Sequence, residues 1–158
     1  MIGEVGLGID AVEVPRFRRA LERRPGLEAR IFTDGERAYA ARFSDPAPRL
    51  AARFAVKEAV MKSLGVGLGA FGFHDVEVLR SSGGAPRLSV RGRAAELAGR
   101  RDVTGWRVSI THTDLMAEAV VLALAGPGGR PTETAGPGGR PTETAGPGGR
   151  PEDSGGRP

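Results

Sequence analysis

Residues 49–64 constrain the fold more than any other stretch of this sequence, because a helix built from them is apolar on almost every side. Leu50, Phe54 and Met61 fall on one stripe at helical spacing, and alanine and valine fill most of the remaining circumference. Such a helix lacks the polar side of a surface helix, so it needs packing partners all around it. The pattern therefore predicts a long central helix, and Gly65 is a natural residue to end it.

The flanking segments show helical and strand patterns without the regular βαβ order that indicates a parallel sheet. The capping-box pair Thr33 and Glu36 opens one of the helical patterns. The helical patterns lie at residues 15–24, 33–43 and 94–100, and the strand patterns at residues 5–10, 75–80, 87–91, 106–111 and 115–124. We therefore predict an α+β fold in which an antiparallel sheet packs around the long central helix.

The last 33 residues differ in composition from the rest of the chain. From Gly126 onward 18 of 33 residues are Gly or Pro, and the decapeptide AGPGGRPTET at residues 125–134 is repeated at residues 135–144. Apart from the alanines this stretch has no apolar side chain, so burial cannot offset the entropy of ordering it. We predict one folded domain at residues 1–125 and a disordered Gly/Pro-rich tail at residues 126–158.

Composition narrows the classes of protein that remain. The chain has no cysteine, which excludes disulfides and thiolate metal sites. No signal peptide pattern opens the sequence, and the apolar run at residues 119–125 is too short to span a bilayer. We therefore expect a cytoplasmic protein that does not interact with membranes. The net charge of +4 indicates a mild preference for anionic partners.

Lysine is used at only two positions, although the chain has 23 basic residues. Both lysines, Lys57 and Lys62, lie in the predicted central helix beside Arg53 and Glu58. One interpretation is an ordinary ion pair between Glu58 and Lys62, worth about 0.2–0.5 kcal/mol at this spacing. The other is a site for phosphates and a metal, because lysine is a compact point charge that binds phosphate without a planar partner.

Asp10 supplies a second carboxylate at the end of the first predicted strand. Aspartate is common in turns and caps, which is the simpler explanation of this residue. Together with Glu58, however, it offers carboxylates from two different elements. Magnesium sites of this kind use one or two protein carboxylates, several waters and substrate phosphate oxygens.

Three further features are weaker indications of a site. His112 follows the segment Ser-Ile-Thr, and a single histidine is more often structural than catalytic. The Gly-x-Gly-x-Gly run at residues 65–69 could bind phosphate through backbone N–H groups, but it lacks the flanking elements of a nucleotide fingerprint. Arg16, Arg19 and Arg23 fall on one side of a basic helix, which is either a solvated face or a docking surface for an acidic partner.

Three ordered blocks of the sequence resemble the holo-acyl-carrier-protein synthase family. The first is Gly8-Ile9-Asp10 with Glu13 and Arg16 downstream, and the second is RFAVKEA at residues 53–59, continuing to Lys62 and Leu64-Gly65. The third is SITHT at residues 109–113. The blocks span about residues 5–124, and the tail has no counterpart in the family pattern.

The resemblance implies a single-copy 4'-phosphopantetheinyl transferase fold of the short type, which forms a homotrimer with its sites between subunits. The implied reaction moves the 4'-phosphopantetheine group of coenzyme A to a serine of acyl carrier protein and releases adenosine 3',5'-bisphosphate. The implied biological role is fatty acid biosynthesis, with polyketide biosynthesis as the other option. Neither nucleic acid nor membrane is an implied partner.

The resemblance also implies roles for individual residues. Asp10 and Glu58 would hold Mg²⁺, and with Lys62 they would form the catalytic set. The residues expected to bind coenzyme A are Arg53, Lys57, Lys62, Gly65, His112 and Thr113. The residues expected to dock the carrier protein are Arg16, Arg19 and Arg23.

Two other functions compete with this interpretation. A magnesium-dependent nucleotide or pyrophosphate hydrolase could use the same Asp10–Glu58 pair. A basic nucleic-acid-binding module would agree with the calculated isoelectric point near 10.5. The sequence argues against the second of these, because aromatic residues for base stacking are few and the net charge is small.

Overall fold

The computed structural model describes residues 6–126. Within this range the chain forms five helices, five strands and a short 3-10 helix, and the longest helix lies at the centre of the fold. In chain order they are β1 Gly6–Glu13, α1 Val14–Arg23, α2 Leu27–Ile31, α3 Asp34–Ala40, α4 Ala47–Ser63, the 3-10 helix Phe73–Asp75, β2 Val76–Arg80, β3 Pro86–Val90, α5 Gly92–Gly99, β4 Val103–His112 and β5 Met116–Ala125.

Helix α4 is the centre of the core, as its apolar pattern predicts. Thirteen of its 17 residues are buried, and they contribute to both apolar clusters of the core. The helix begins at Ala47, two residues before the predicted start at residue 49. Pro48 lies in the first turn, where the missing N–H of proline costs no helical hydrogen bond.

Two antiparallel sheets pack against α4, which confirms the predicted α+β class. The larger sheet has the strand order β1-β5-β4, and the smaller one is the β2-β3 hairpin. The inner face of β5 is formed by alternate buried residues, among them Ala119 and Val121, as expected for a strand with one buried face. Its outer face pairs Val120 with Ile9 and Leu122 with Leu7.

Strand β1 lies unusually close to α4 because it has glycine where its residues face the helix. A Cβ atom on Gly8 would lie 1.8 Å from the carbonyl oxygen of Ala59, and one on Gly6 would lie 2.0 Å from that of Ser63. No other side chain fits in this space. The close approach fixes β1 beside the C-terminal half of α4 and brings Asp10 next to that part of the helix.

Helix α2 is not predicted from the sequence. It follows Gly26, whose φ of 85° is a backbone conformation that only glycine adopts readily. Strand β5 ends at Ala125, while the predicted tail at residues 126–158 lies outside the described residues except for Gly126. Its disorder remains a prediction. Among residues 6–126 no helix combines the length and apolarity that crossing a bilayer requires.

Candidate active site

Two carboxylates and one ammonium group meet where β1 crosses α4, and we call Asp10, Glu58 and Lys62 the carboxylate cluster. Glu58 and Lys62 are one helical turn apart, so both side chains leave α4 on the side that faces β1. The Lys62 Nζ atom lies 2.7 Å from Asp10 Oδ1 and also donates a hydrogen bond of 3.0 Å to the carbonyl oxygen of Ile9. The structure therefore brings together all three residues that the sequence predicts as catalytic.

The electrostatics of this cluster favour an additional cation. Burial raises the pKa of Glu58, the nearby negative charge of Asp10 raises it further, and the charge of Lys62 opposes both effects. Among the described residues no group of three or more His, Cys, Asp or Glu side chains could enclose a metal ion. Two carboxylates suit Mg²⁺, which takes its other ligands from water and substrate phosphates. The donor set therefore suits the predicted ion, and its binding by Asp10 and Glu58 remains a prediction.

A groove of about 850 Å³ opens beside the carboxylate cluster. Asp10 and Glu58 contribute to its wall, and three aromatic rings line the same groove. Phe54 stacks on Phe17 with ring centroids 5.4 Å apart and contacts Phe73 at 5.6 Å. The groove thus combines an apolar surface with an acidic end.

Guanidinium groups converge at a second site, the arginine basin, formed by Tyr39, Arg49, Arg53, Arg80 and His112. Arg53 and Arg80 both lie over the Tyr39 ring, at 4.1 and 5.6 Å from its centroid. Arg80 also donates a hydrogen bond of 2.5 Å to the Tyr39 hydroxyl. Tyr39 therefore aligns two of the three arginines of this basin.

The arginine basin has the electrostatic signature of an anion site. Burial lowers the pKa of Arg53, and its buried Nε atom has no hydrogen-bond partner. Burial also lowers the pKa of His112, and the positive charges of Arg49 and Arg53 lower it further. An anion in the basin would neutralise this concentration of positive charge. Phosphate groups suit such a cluster of guanidinium groups.

The two sites lie on different sides of α4 in one chain. Arg53 and Lys62 are nine residues apart, or about 2.5 helical turns. They therefore lie on opposite sides of the helix and about 13.5 Å apart along its axis. The residues lining the groove and those lining the arginine basin form separate sets. The structure therefore unites the predicted catalytic residues with one another, but it does not bring Arg53 or His112 to them within one chain.

Lys57 is the clearest disagreement between the sequence-based expectation and the structure. Its side chain is completely buried, and its Nζ atom lies 2.8 Å from Glu36 Oε2. It also donates hydrogen bonds to the carbonyl oxygens of Phe73 and Val76. Since three protein acceptors use all three ammonium protons, no donor remains for a phosphate. We therefore correct the expected coenzyme A contact and assign Lys57 a structural role.

Two other predicted ligands have local structural roles. Gly65 ends α4 with a φ of 61°, and the hydrogen bond from Val66 N to Met61 O closes a Schellman-type turn. The Thr113 hydroxyl accepts hydrogen bonds from the N–H groups of Leu115 and Met116 in the β4–β5 turn. These roles explain why the residues occur there, and their contact with coenzyme A remains a prediction.

Helix α1 presents the predicted docking residues to solvent. Arg16, Arg19 and Arg23 are exposed and border one shallow surface depression, which we call the arginine face. Arg18 points elsewhere: its two terminal nitrogens form hydrogen bonds of 2.9 and 2.8 Å to the Asp45 carboxylate. This bidentate pair ties α1 to the segment before α4 and leaves the arginine face available.

Sequence reasoning did not identify four residues of these sites. Arg49, Arg80 and Tyr39 belong to the arginine basin, and Glu36 is the partner of Lys57. Arginine is so frequent in this chain that only the spacing of Arg49 and Arg53, which share a helix face, could have indicated the basin. For Glu36 the sequence indicates only the capping box with Thr33.

Comparison with known proteins identifies the family of this chain. Residues 6–124 match the family model of the 4'-phosphopantetheinyl transferase superfamily. The chain belongs to this superfamily. This match confirms the resemblance that the three sequence blocks predict, and it spans every described element from β1 to β5.

Individual relatives of the superfamily agree with this assignment. The holo-[acyl-carrier-protein] synthase of Moorella thermoacetica is 46% identical over 115 residues, which cover 73% of this chain and 90% of that protein. That of Frankia alni is 46% identical over 119 residues, which cover 75% of this chain and 96% of that protein.

Solved structures show the same superfamily fold. The holo-(acyl-carrier-protein) synthase from Bacillus anthracis, in complex with CoA (3',5'-ADP), is 31% identical to this chain and superimposes with a TM-score of 0.65. The superposition covers 80% of this chain and 99% of the other. The predicted single-copy fold around a long central helix is thereby confirmed.

Proposed function

We propose that this chain is a holo-[acyl-carrier-protein] synthase, which transfers the 4'-phosphopantetheine group of coenzyme A to a serine of acyl carrier protein. The observation that carries the proposal is the carboxylate cluster of Asp10, Glu58 and Lys62 at the acidic end of the groove. Family membership and the names of the relatives support the same activity. Its biological role would be fatty acid biosynthesis, in the cytoplasm.

In the proposed reaction the carrier serine oxygen attacks the coenzyme A phosphorus next to the pantetheine. A new P–O bond forms to the serine, the P–O bond to adenosine 3',5'-bisphosphate breaks, and the serine proton is released. When bound, Mg²⁺ would neutralise pyrophosphate charge as a Lewis acid. The protein would mainly position the reactants and stabilise charge, because phosphoryl transfer requires little covalent work from side chains.

Each residue of the carboxylate cluster has a distinct part in this scheme. Asp10 and Glu58 would hold the cation at the acidic end of the groove. The Lys62 ammonium would bind a pyrophosphate oxygen, since its side chain is half exposed and leaves α4 on the same side as Glu58.

The arginine basin is the proposed site for the nucleotide phosphates of coenzyme A. Arg53 and His112 were expected to bind coenzyme A, and Arg49 and Arg80 add two further cations. Because the basin lies on a different side of α4, we propose that the complete site combines the carboxylate cluster of one subunit with the basin of the next. This arrangement agrees with the homotrimer that the family resemblance implies.

The outer face of the larger sheet supports such an assembly. Leu7 and Ile9 expose 62% and 60% of their surface, and their cross-strand neighbours Leu122 and Val120 extend the apolar area across β5. A contiguous apolar surface of this kind favours a protein–protein contact. We propose that it forms the contact between subunits.

Carrier recognition is assigned to the arginine face of α1. Arg16 lies both on this face and at the groove that contains Asp10 and Glu58. An acidic carrier docked on the face would therefore have its serine near the carboxylate cluster. Charge complementarity would mainly increase the rate of association.

The decisive experiment incubates the protein with coenzyme A, Mg²⁺ and an apo-acyl carrier protein and measures the intact mass of the carrier. We expect the mass of the carrier to rise by one phosphopantetheine group on a serine, together with release of adenosine 3',5'-bisphosphate. A carrier with alanine at that serine is the matched control. Cleavage of coenzyme A without any change of carrier mass would overturn the proposal in favour of a hydrolase.

A further inference from the structure

The position of Lys62 raises a question that the proposed reaction does not answer. Its ammonium lies 2.7 Å from Oδ1 of Asp10, the carboxylate that the proposal assigns to a divalent cation. The Asp10 side chain is only 13% exposed, whereas that of Lys62 is 52% exposed. The carboxylate is thus fixed near the helix, while the lysine has solvent around it and room to move.

Lys62 and a divalent cation compete for the same carboxylate. The ammonium already binds one oxygen of the carboxylate, and a second cation on the same carboxylate would be repelled by it. The second contact of Lys62, to the carbonyl oxygen of Ile9 at 3.0 Å, also comes from β1 and would be lost when the side chain leaves Asp10. Binding of the metal alone therefore has a cost in this chain.

We propose that Lys62 exchanges partners during the catalytic cycle and thereby couples binding of the divalent cation to binding of coenzyme A. In the free enzyme its ammonium neutralises Asp10 and occupies the metal side of that carboxylate. In the complex it binds a pyrophosphate oxygen and releases Asp10 to the cation. This inference rests on the proposed function, because it needs both a metal at Asp10 and a pyrophosphate beside it.

Thermodynamic linkage turns this exchange into a measurable quantity. If coenzyme A draws Lys62 away from Asp10, it improves the affinity for the cation, and the cation improves the affinity for coenzyme A by the same factor. Couplings of this type commonly change affinity by about 5–150-fold. For one exposed lysine that exchanges one partner, we expect about tenfold, near the lower end of this range.

The test uses Mn²⁺ as the probe, with its binding followed by electron paramagnetic resonance rather than by activity. Binding is measured for the wild-type chain and for Lys62→Met, without and with saturating coenzyme A, after correction for Mn²⁺ held by free coenzyme A. Without coenzyme A we expect Lys62→Met to bind Mn²⁺ several-fold more tightly than the wild type. With coenzyme A the wild type should gain about tenfold, as the coupling requires, and Lys62→Met should gain much less.

Two matched variants distinguish the direct contact between Lys62 and Asp10 from the general effect of a positive charge in the groove. Arg16→Met removes one positive charge from the same groove without touching Asp10, so it should change Mn²⁺ affinity less than Lys62→Met does. Lys62→Arg keeps the charge and can hold Asp10 with two parallel hydrogen bonds, so it should weaken Mn²⁺ binding in the absence of coenzyme A.

The possible failures are distinguishable. If Asp10→Asn leaves Mn²⁺ affinity unchanged, the metal assignment itself is wrong, and the proposed function loses its metal site. If Asp10→Asn weakens Mn²⁺ binding but Lys62→Met binds Mn²⁺ as the wild type does, the exchange is wrong and the metal site stands. Equal coupling by coenzyme A in the wild type and in Lys62→Met would also overturn the exchange.

Discussion

The buried ion pair between Lys57 and Glu36 allows a quantitative prediction about stability. Lys57→Met keeps the length of the side chain and removes only its ammonium group. The Glu36 carboxylate would then stay buried, with hydrogen bonds from the N–H groups of Thr33 and Val78 but without its cation. Removal of one partner from a buried pair costs about 3–5 kcal/mol, because a buried charge is left uncompensated.

This loss is large compared with the total stability of a typical domain. Native domains are stable by about 5–15 kcal/mol, so Lys57→Met removes a substantial part of the free energy of unfolding. At a urea dependence of about 2 kcal/mol per M, the midpoint should fall by roughly 2 M. Urea unfolding followed by circular dichroism measures this shift, with all variants at one subunit concentration because assembly contributes to stability.

The double variant Lys57→Met with Glu36→Gln tests the reasoning behind the number. It removes both charges of the pair, so we expect it to regain part of the stability that Lys57→Met loses. The recovery should be incomplete, because both Glu36 oxygens accept backbone N–H groups and a glutamine amide has only one oxygen. Burial lowers the pKa of Lys57, and the negative charge of Glu36 opposes this effect. A fall of less than about 1 kcal/mol in Lys57→Met would refute the uncompensated-charge argument. Full stability with weakened coenzyme A binding would restore the phosphate role of Lys57.

Three further predictions concern the proposed reaction and its partners. Glu58→Gln should lower the rate of transfer at least 100-fold and weaken Mg²⁺ dependence while leaving the urea midpoint unchanged, because it removes one of two protein ligands from the metal. Reversal of Arg16 and Arg19 to Glu should raise KM for the carrier at least tenfold and KM for coenzyme A much less, since only the carrier meets the arginine face. This effect should shrink as salt screens the charges. Affinity for adenosine 3',5'-bisphosphate should depend less on pH in His112→Gln than in the wild type.

The sign of the His112 effect follows from its pKa, which burial and the charges of Arg49 and Arg53 lower in the free protein. A bound phosphate would raise this pKa, so the complex binds more protons than the free protein. Affinity should therefore increase as pH falls through the window between the two pKa values, by at most about tenfold per pH unit for one proton. Identical pH profiles in the wild type and in His112→Gln would place the phosphate elsewhere.

Each of the other two predictions also has an outcome that contradicts it. Transfer by Glu58→Gln at the wild-type rate, with the same magnesium titration, would remove Glu58 from the metal site. Equal changes in both KM values after charge reversal would show that the arginine face does not select the carrier. Arg18→Glu is not a suitable control, because it would break the bidentate pair of Arg18 and Asp45 that holds α1 in place.

The central helix could be predicted from the sequence because its evidence is local. An apolar circumference at residues 49–64 leaves no alternative to burial, and the structure buries 13 of the 17 residues of α4. The arginine basin could not be predicted in the same way. Arg80 reaches Tyr39 across 41 residues of sequence, and no local pattern distinguishes it from the many other arginines of this chain.

The close packing of β1 on α4 could be predicted from the sequence only in part. Gly6 and Gly8 lie within the predicted strand at residues 5–10, but a glycine in a strand does not by itself reveal what approaches it. The carbonyl groups of Ser63 and Ala59 occupy the space where side chains would be. This contact also explains the geometry of the carboxylate cluster, because it sets the distance between the strand that carries Asp10 and the helix that carries Lys62.

The two lysines share one sequence signal but occupy different environments in the structure. Their rarity in an arginine-rich chain suggested that both bind phosphate, yet what they share is a requirement for a compact, rotatable charge. At Lys57 the ammonium directs its three protons to Glu36 and two carbonyl groups in a closed space, where a planar guanidinium would not fit. At Lys62 the same compactness allows exchange between Asp10 and a phosphate, whereas arginine would hold the carboxylate in a fixed fork. Lysine in place of arginine therefore marks where the geometry of the charge matters, and burial decides whether that charge serves the core or the substrate.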